Sequence, residues 1–143
     1  LYHPINSEIN PLSLIEYLDT NRKTICLPMV VNKKQPLIFK PWRPGKKMVI
    51  GHYGISVPDN DQTLIPDLII CPLLAYDSKG MRLGYGGGLY DRTIKYFRKN
   101  KQVKYIGLAF SGQKSYHDLP SEVHDVPLDA VLTETGMDYF QKI

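Results

Sequence analysis

Glycines alternate with bulky side chains in the segment Met81–Arg92, and this segment constrains the fold more than any other part of the chain. It holds four glycines, two arginines, two tyrosines and an aspartate. Glycine lets backbone N–H groups turn toward a ligand and lets the ligand approach closely. Where such a loop opens a helix, those N–H groups and the helix dipole favour an anion such as phosphate. The guanidinium of Arg82 adds a permanent charge that suits phosphate oxygens. The segment therefore predicts a nucleotide or phosphoryl site.

A flexible linker or a tight turn is the alternative interpretation of a glycine cluster. Linkers are rich in serine and glycine, whereas this segment also carries Leu83, Tyr85, Leu89 and Tyr90, which are side chains that pack. The dinucleotide fingerprint is excluded because Leu89 stands where its third glycine belongs. The phosphate-binding pattern of glycine, lysine and serine or threonine occurs nowhere in the chain. A ligand loop of neither common class is favoured.

The elements around the glycine segment predict a strand–helix–strand unit. Residues 67–72 are nearly all apolar, as in a strand that is covered on both faces. Tyr90, Ile94 and Phe97 have helical spacing, and residues 104–110 form another apolar strand. This order implies a parallel sheet, and ligands bind at the carboxyl ends of its strands. We predict a single α/β domain with a mostly parallel central sheet, helices on both faces and a Rossmann-like, three-layer arrangement.

The remaining elements are assigned by local pattern. Asn10 is a plausible N-cap and Pro11 the first position of a helix that carries Leu12, Ile15 and Leu18. We predict strands over residues 24–30, 37–42 and 130–134, the last of these being the final strand, and a strand-like start over residues 1–3. Residues 77–80 predict a turn and residues 43–66 a long irregular connection.

Composition places the chain among ordinary globular proteins and limits its partners. The 143 residues suit one domain, spanning residues 1–143, with 43% hydrophobic and 22% charged residues. A net charge of +4 suggests anionic partners without choosing among nucleic acid, nucleotide and polycarboxylate. The lysine clusters are more simply solvated surfaces, and RNA-recognition and zinc-finger patterns are absent from the sequence. No stretch is long enough to cross a bilayer. Cys26 and Cys71 lie in apolar runs, which favours reduced core thiols and a cytoplasmic protein.

Taken together, these stretches resemble the 5-formyltetrahydrofolate cyclo-ligase family, also called methenyltetrahydrofolate synthetase. The resemblance is carried by residues 66–77, 80–92, 119–120, 124–129 and 132–134, and more weakly by residues 2–9, 39–45 and 54–55. The glycine segment with its trailing Tyr-Asp-Arg is the most specific of them. The family's N-terminal helix, whose lysine and arginine reach ATP and folate, has no counterpart before Leu1, and we expect that residues are missing upstream.

The resemblance implies an activity. The family converts 5-formyltetrahydrofolate to 5,10-methenyltetrahydrofolate with ATP and Mg²⁺: the formyl oxygen is phosphorylated, N10 attacks the activated carbon, and phosphate leaves. Such chemistry needs positioning and charge neutralisation around the phosphates. By resemblance we expect a cytoplasmic monomer that acts on the folate, with or without a polyglutamate tail, and that binds neither nucleic acid nor membrane.

The resemblance also implies site residues. Arg82 and Tyr90 would be catalytic, and Asp91 and Asp125 would hold Mg²⁺ through hard oxygen ligands. ATP would contact Arg82, Leu83, Gly84, Tyr85, Gly86, Gly87, Gly88, Leu89 and Tyr90. The folate would contact Glu8, His3, Trp42, Tyr85, Gly86, Gly87, Gly88 and Leu89; His3 is placed by position alone. Without the resemblance, Asp91 would be a first-turn acid that complements a helix dipole, Asp125 a turn residue, Glu8 a surface residue and Trp42 a core residue.

Two further departures from the family pattern keep alternative functions open. Leu89 stands where the family usually has tyrosine, and Val57 where it commonly has glutamate. A folate- or nucleotide-binding homologue without turnover is therefore the second hypothesis. A basic RNA-binding module, suggested only by the isoelectric point of about 9.0 and the lysine clusters, is the third.

Overall fold

The computed structural model describes residues 1–140, which form two α-helices and ten β-strands. The helices are α1 (Leu12–Thr20) and α2 (Leu89–Arg98). The strands are β1 (Ile25–Met29), β2 (Ile38–Trp42), β3 (Met48–Ile50), β4 (Ser56–Pro58), β5 (Leu68–Pro72), β6 (Ala75–Tyr76), β7 (Arg82–Leu83), β8 (Lys104–Leu108), β9 (Ala130–Thr133) and β10 (Gly136–Tyr139). Single 3₁₀ turns cover His52–Gly54 and Ser111–Gln113.

The central sheet has four strands in the order β10-β9-β8-β5. Strand β5 pairs in parallel with β8, and β8 pairs in parallel with β9, whereas β10 is antiparallel to β9. The strand–helix–strand unit is confirmed, because α2 lies in the chain between the parallel strands β5 and β8. The molecule is thus an α/β fold with a mixed, mostly parallel sheet, as the apolar runs predict.

The alternation of side chains along β5 and β8 separates two apolar clusters. Cys71 and Tyr105 pack with Phe97 of α2 in the first cluster, whereas Ile70 packs with Ile15 of α1 in the second. Because successive side chains of a strand point to opposite faces of the sheet, the two clusters lie on opposite sides of it. The glycine segment begins α2 and therefore lies beside the first cluster.

A hairpin occupies the region for which an irregular connection was predicted. Within residues 43–66, β3 pairs antiparallel with β4, with Val49 opposite Val57. The prediction of a wholly irregular segment is wrong because each strand is only a few residues long and Pro58 ends the second, so neither shows an alternating pattern. Strands β1 and β2, in contrast, pair antiparallel where the sequence predicts them, with Leu27 opposite Lys40.

Two further boundaries differ from the predictions. Residues 1–3 form no strand; Leu1 and Tyr2 are buried in the second apolar cluster instead, so their apolar character serves packing rather than strand pairing. Strand β9 is not the last strand, because β10 follows it with Met137 opposite Leu132. Strand β10 lies at the edge of the sheet and is largely exposed, so it lacks the apolar signal of a buried strand.

Both helices begin close to their predicted starts. Helix α1 begins at Leu12 with Pro11 in the capping position, one residue later than predicted, and Asn10 Oδ1 accepts the Leu12 N–H at 3.0 Å. Helix α2 begins at Leu89, directly after Gly88. Neither helix in residues 1–140 has the length and apolar character that a bilayer crossing requires.

Candidate functional site

A small hairpin delivers the glycine loop, residues 84–88, to the start of α2. Strands β6 and β7 pair antiparallel, with Tyr76 opposite Arg82. The predicted turn between them is present: the buried Asp77 carboxylate accepts the N–H groups of Lys79 at 2.9 Å and Met81 at 3.0 Å. Its other oxygen accepts the N–H of Leu119 at 2.9 Å. The loop therefore follows a hydrogen-bonded hairpin at one end and enters a helix at the other.

The backbone of the glycine loop is open to a ligand. Gly86 and Gly88 have φ angles of 87° and 64°, in the left-handed region that side chains other than glycine rarely adopt. Tyr85, between them and β7, is 59% exposed. Within residues 1–140, the backbone N–H groups of residues 84–88 donate no hydrogen bond. Unpaired N–H groups at the start of a helix suit an anion, because the dipole of the helix adds a favourable field there.

Arg82 lies at the base of the loop, enclosed by protein. Its Nε donates to the Tyr105 hydroxyl at 2.6 Å and its Nη2 to Asp91 Oδ2 at 3.0 Å. The guanidinium also lies 5.7 Å from the centre of the Tyr90 ring. Burial acts to lower the pKa of Arg82. Tyr105, Cys71 and Asp91 around it raise that pKa by more than burial lowers it, so the group is a permanent cation. The guanidinium therefore lies at the base of the loop as one half of a buried ion pair with Asp91.

The structure brings Asp91 and the segment of Asp125 together. Asp91 Oδ1 accepts the N–H of Val126 at 3.0 Å, which places the backbone next to Asp125 against the first turn of α2. Asp125 Oδ2 accepts the N–H of Glu122 at 2.8 Å. Residues 1–140 contain no cluster of three or more histidine, cysteine or acidic side chains that could hold a metal ion.

Glu8 approaches the glycine loop from the N-terminal segment. Its Oε2 accepts the N–H of Ile5 at 2.8 Å, which closes a turn in that segment. Burial raises the pKa of Tyr85, and the nearby Glu8 carboxylate, which attracts the hydroxyl proton, raises it further. Burial also raises the pKa of Tyr90, with smaller effects from Cys71 and Glu8. Glu8 therefore influences the titration of both Tyr85 and Tyr90.

Leu83, Gly84 and Leu89 occupy different environments around the loop. The Leu83 side chain is 45% exposed, whereas Leu89 is partly buried and packs against the first apolar cluster. A Cβ on Gly84 would lie 2.5 Å from Arg82 Nη1. Glycine at this position lets the chain pass directly over the guanidinium.

His3 and Trp42 are not brought to the loop by any contact within the described part of the chain. His3 is exposed, and its Nδ1 lies 3.3 Å from the carbonyl of Pro4. Trp42 packs against the second apolar cluster and donates its Nε1 hydrogen to the Lys46 carbonyl at 3.2 Å.

Trp42 lies instead in a basic cleft of about 740 Å³, none of whose lining residues belongs to the glycine loop. The cleft is lined by Asp19, Arg22, Lys23, Thr24, Ile25, Pro41, Trp42, Arg43, Lys46, Lys47, Pro58, Asp59, Asn60 and Gln62.

Sequence reasoning missed a set of contacts at the far end of the loop. Arg92 Nη2 donates to the carbonyl of Gly87 at 2.8 Å and also to the carbonyl of Lys33. Lys33 Nζ in turn lies 5.3 Å above the centre of the Tyr53 ring. Tyr53 has a φ of 63°, an uncommon value for a residue with a side chain. Arg92 directly follows Asp91 in the most specific segment, but spacing alone gives no sign of its partner at Lys33.

Comparison with known proteins assigns the chain to a family. The family model described as the 5-formyltetrahydrofolate cyclo-ligase family matches residues 1–134. The chain belongs to the 5-formyltetrahydrofolate cyclo-ligase family. Curated 5-formyltetrahydrofolate cyclo-ligases are 38% identical in Haemophilus influenzae and 34% identical in Escherichia coli K12. The first match covers 92% of this chain and 73% of the relative, and the second covers 90% and 72%.

Two solved structures share the fold of this cyclo-ligase family member. The 5,10-methenyltetrahydrofolate synthetase of Aquifex aeolicus superposes with a TM-score of 0.73 at 26% identity, over 99% of this chain and 71% of that one. The corresponding synthetase of Mycoplasma pneumoniae gives 0.67 at 27% identity, over 92% of this chain and 69% of that one. The family predicted from the glycine segment is therefore confirmed.

Proposed function

We propose that this chain performs the reaction of its family, the conversion of 5-formyltetrahydrofolate and ATP to 5,10-methenyltetrahydrofolate, ADP and phosphate. The observation that carries the proposal is the set of backbone N–H groups in residues 84–88 that donate no hydrogen bond within residues 1–140. An exposed loop with unpaired donors at a helix N-terminus is suited to polyphosphate. Membership of the family supplies the folate substrate.

The loop fits the phosphates of ATP, which supplies the phosphoryl group that activates the formyl oxygen. The proposed contacts run from Arg82 to Tyr90: backbone N–H groups along the glycines, with Leu83, Tyr85 and Leu89 between them. Arg82 is proposed to neutralise phosphate charge from the base of the loop, because its guanidinium stays positive and lies against the rings of Tyr90 and Tyr105. Tyr90, whose raised pKa keeps its hydroxyl protonated, is proposed to hold the reacting groups in place.

The carboxylates of Asp91 and Asp125 fit Mg²⁺ in their chemistry. A carboxylate offers about four lone-pair sites, and the hydrogen bonds described above occupy two on Asp91 and one on Asp125. Mg²⁺ is commonly bound by one or two carboxylates together with substrate phosphates and water. We therefore propose Asp91 and Asp125 as the residues that hold the ion, which would neutralise phosphate charge.

The folate is proposed to bind across the same loop. Glu8 would accept hydrogen bonds from the pterin, with residues 85–89 lining the other side, because Glu8 and Tyr85 lie close enough to influence each other electrostatically. His3 and Trp42 are retained as predicted folate contacts, although neither contacts the loop in the described residues.

Use of polyglutamylated folate, a monomeric state and a cytoplasmic location belong to the same proposal. So does the three-layer, Rossmann-like arrangement, which the apolar clusters on opposite sheet faces support.

A direct assay tests the proposal. Purified protein is mixed with 5-formyltetrahydrofolate, ATP and Mg²⁺, and the absorbance of 5,10-methenyltetrahydrofolate is followed, with reactions lacking ATP or Mg²⁺ as controls. Product that requires both supports the enzyme. Binding of ATP with Mg²⁺ by calorimetry without product would instead establish the binding homologue without turnover. Failure to bind either ATP or the folate would contradict the proposed site altogether.

A further inference from the structure

Arg92 connects the end of the glycine loop to a distant part of the chain. Its Nη2 donates to the Gly87 carbonyl at 2.8 Å and to the carbonyl of Lys33, which precedes β2. An arginine suits this position because its planar guanidinium presents several donors in a fixed geometry. The side chain thus fastens the loop to the segment before β2.

Arg92 sets the direction of two consecutive peptide groups, the first through its side chain and the second through its backbone N–H. The described residues contain no cis peptide bond, and in a trans peptide the C=O and the following N–H point in opposite directions. Because the Gly87 carbonyl points to the Arg92 side chain, the N–H of Gly88 points away from it. The Gly88 carbonyl accepts the backbone N–H of Arg92 at 3.0 Å, so the N–H of Leu89 also points out of the helix start.

Gly88 permits this close arrangement. Its φ is 64°, and a Cβ at this position would lie 3.0 Å from Arg92 Nη1. A side chain would therefore both strain the backbone and press on the guanidinium. The glycine and the arginine together define one conformation of the loop's last two peptide groups.

We propose that the Arg92 side chain is a positioning group that holds the N–H of Gly88 in the direction of the nucleotide phosphates. The inference rests on the proposed function, because it takes the loop as the phosphate site. Arg92 acts through the loop backbone: its Nη2 is engaged with two protein carbonyls, and its contribution is to fix donors before the nucleotide binds. Such fixed donors bind an anion without a further ordering cost.

The test compares three variants in nucleotide binding without folate. Arg92→Met removes the donors and keeps an unbranched apolar stem, Arg92→Lys restores a point charge without the fork, and Lys95→Met removes an exposed cation of the same helix. Calorimetry with ADP and Mg²⁺ measures affinity, and thermal unfolding monitors stability. We expect Arg92→Met to weaken binding roughly tenfold or more, as misplaced donors do, with Arg92→Lys intermediate and Lys95→Met unchanged.

Amide NMR provides the readout that a purely structural role would not change. In the wild-type protein, ADP with Mg²⁺ should shift the Gly88 amide resonance strongly, and in folded Arg92→Met this shift should shrink. Equal affinity of Arg92→Met and wild type would overturn the positioning role. If Arg92→Met does not fold, two other measurements decide. Unchanged affinity in Arg92→Lys, or a wild-type response to ADP that spares the Gly88 amide, would overturn the positioning role. A wild type that fails to bind ADP would reject the proposed function as well.

Discussion

Arg82 and Asp91 form an ion pair that is nearly closed to solvent, with 3.0 Å between Nη2 and Oδ2 and only 8% and 13% of the two side chains exposed. Arg82 ends the hairpin before the glycine loop, and Asp91 lies in the first turn of the helix after it. The pair therefore joins the two ends of the loop. Tyr105 of β8 accepts a hydrogen bond from Arg82 and so attaches the ion pair to the central sheet. The Val126 N–H donates to Asp91 and so attaches the pair to the segment of Asp125.

Removing the acid from this pair should destabilise the protein strongly. In Asp91→Ala the buried Arg82 cation loses its counter-charge, and breaking such a pair costs about 3–5 kcal/mol. Urea unfolding of the variant and the wild type measures the difference in the free energy of unfolding.

The exposed pair of Lys79 and Asp118 provides the matched control. Both of these side chains are 63% exposed, so Asp118→Ala should change the free energy of unfolding by no more than about 1 kcal/mol. Equal effects of the two aspartate substitutions would show that the Arg82–Asp91 pair does not hold the loop's ends together.

The sequence predicts those parts of the fold that depend on local patterns. Strand β5, helix α2 and strand β8 carry unbroken apolar runs or helical spacing, and a parallel sheet follows from their order. The hairpin of β3 and β4 escapes such reasoning because its short strands are defined by their pairing, with Met48 opposite Pro58. Strand β10 escapes it because an exposed edge strand does not need an apolar face.

The candidate site likewise has parts that the sequence predicts and parts that only the fold brings together. The glycine loop, Arg82 and Asp91 are adjacent in sequence, so their association is visible before any fold is known. The contact between Arg92 and the Lys33 carbonyl joins residues far apart in the chain, and only the fold brings them together. The surroundings of Trp42 are likewise set by the fold: it lines a basic cleft that includes no residue of the glycine loop, and its contact with the folate stays a prediction.

The close approach of Gly84 to Arg82 leads to a second prediction. In Gly84→Ala the new methyl group would lie 2.5 Å from Arg82 Nη1, and the guanidinium cannot move without losing its bonds to Tyr105 and Asp91. We expect a loss of about 1–3 kcal/mol in the free energy of unfolding, typical of overpacking, together with weaker binding of ADP and Mg²⁺.

A double-mutant cycle tests the cause of that loss. If Gly84→Ala acts by displacing Arg82, its effect should shrink in the Asp91→Ala background, because both changes disturb one interaction. Gly112→Ala is the control, since a methyl group there meets open space; its effect should stay within about 0.5 kcal/mol. Full additivity of Gly84→Ala and Asp91→Ala would contradict displacement of the guanidinium.

The electrostatic link between Glu8 and Tyr85 predicts a shifted titration. Burial and then the Glu8 charge raise the pKa of Tyr85, so its protonated form is favoured in the folded state. This contribution to stability is present below the ordinary tyrosine pKa of about 10 and is lost as pH rises through the raised pKa. In Glu8→Gln the pKa of Tyr85 should fall toward its ordinary value, while the part due to burial remains.

Tyrosine ring carbon NMR, with Tyr85 assigned by substitution to phenylalanine, follows that titration directly. Glu16→Gln, which removes an exposed acid of α1, is the control and should leave the pKa of Tyr85 unchanged. An unchanged Tyr85 titration in Glu8→Gln would mean that the N-terminal segment does not approach the loop in solution.

The proposed role of Asp91 and Asp125 as Mg²⁺ ligands predicts how activity depends on Mg²⁺. Asp125→Asn removes a charged ligand, but its amide oxygen can still accept the Glu122 N–H, so stability should change by less than about 1 kcal/mol. Initial rates measured against free Mg²⁺ at fixed ATP should show half-maximal activity at a concentration roughly tenfold higher or more, since carboxylates are the ligands that Mg²⁺ prefers. The neighbouring exposed acid gives the control: Glu122→Gln keeps the backbone donor and should leave the Mg²⁺ dependence as in the wild type. A response to Glu122→Gln but not to Asp125→Asn would move the metal ligand to the adjacent turn, and a response to neither would leave Asp91 without its proposed partner.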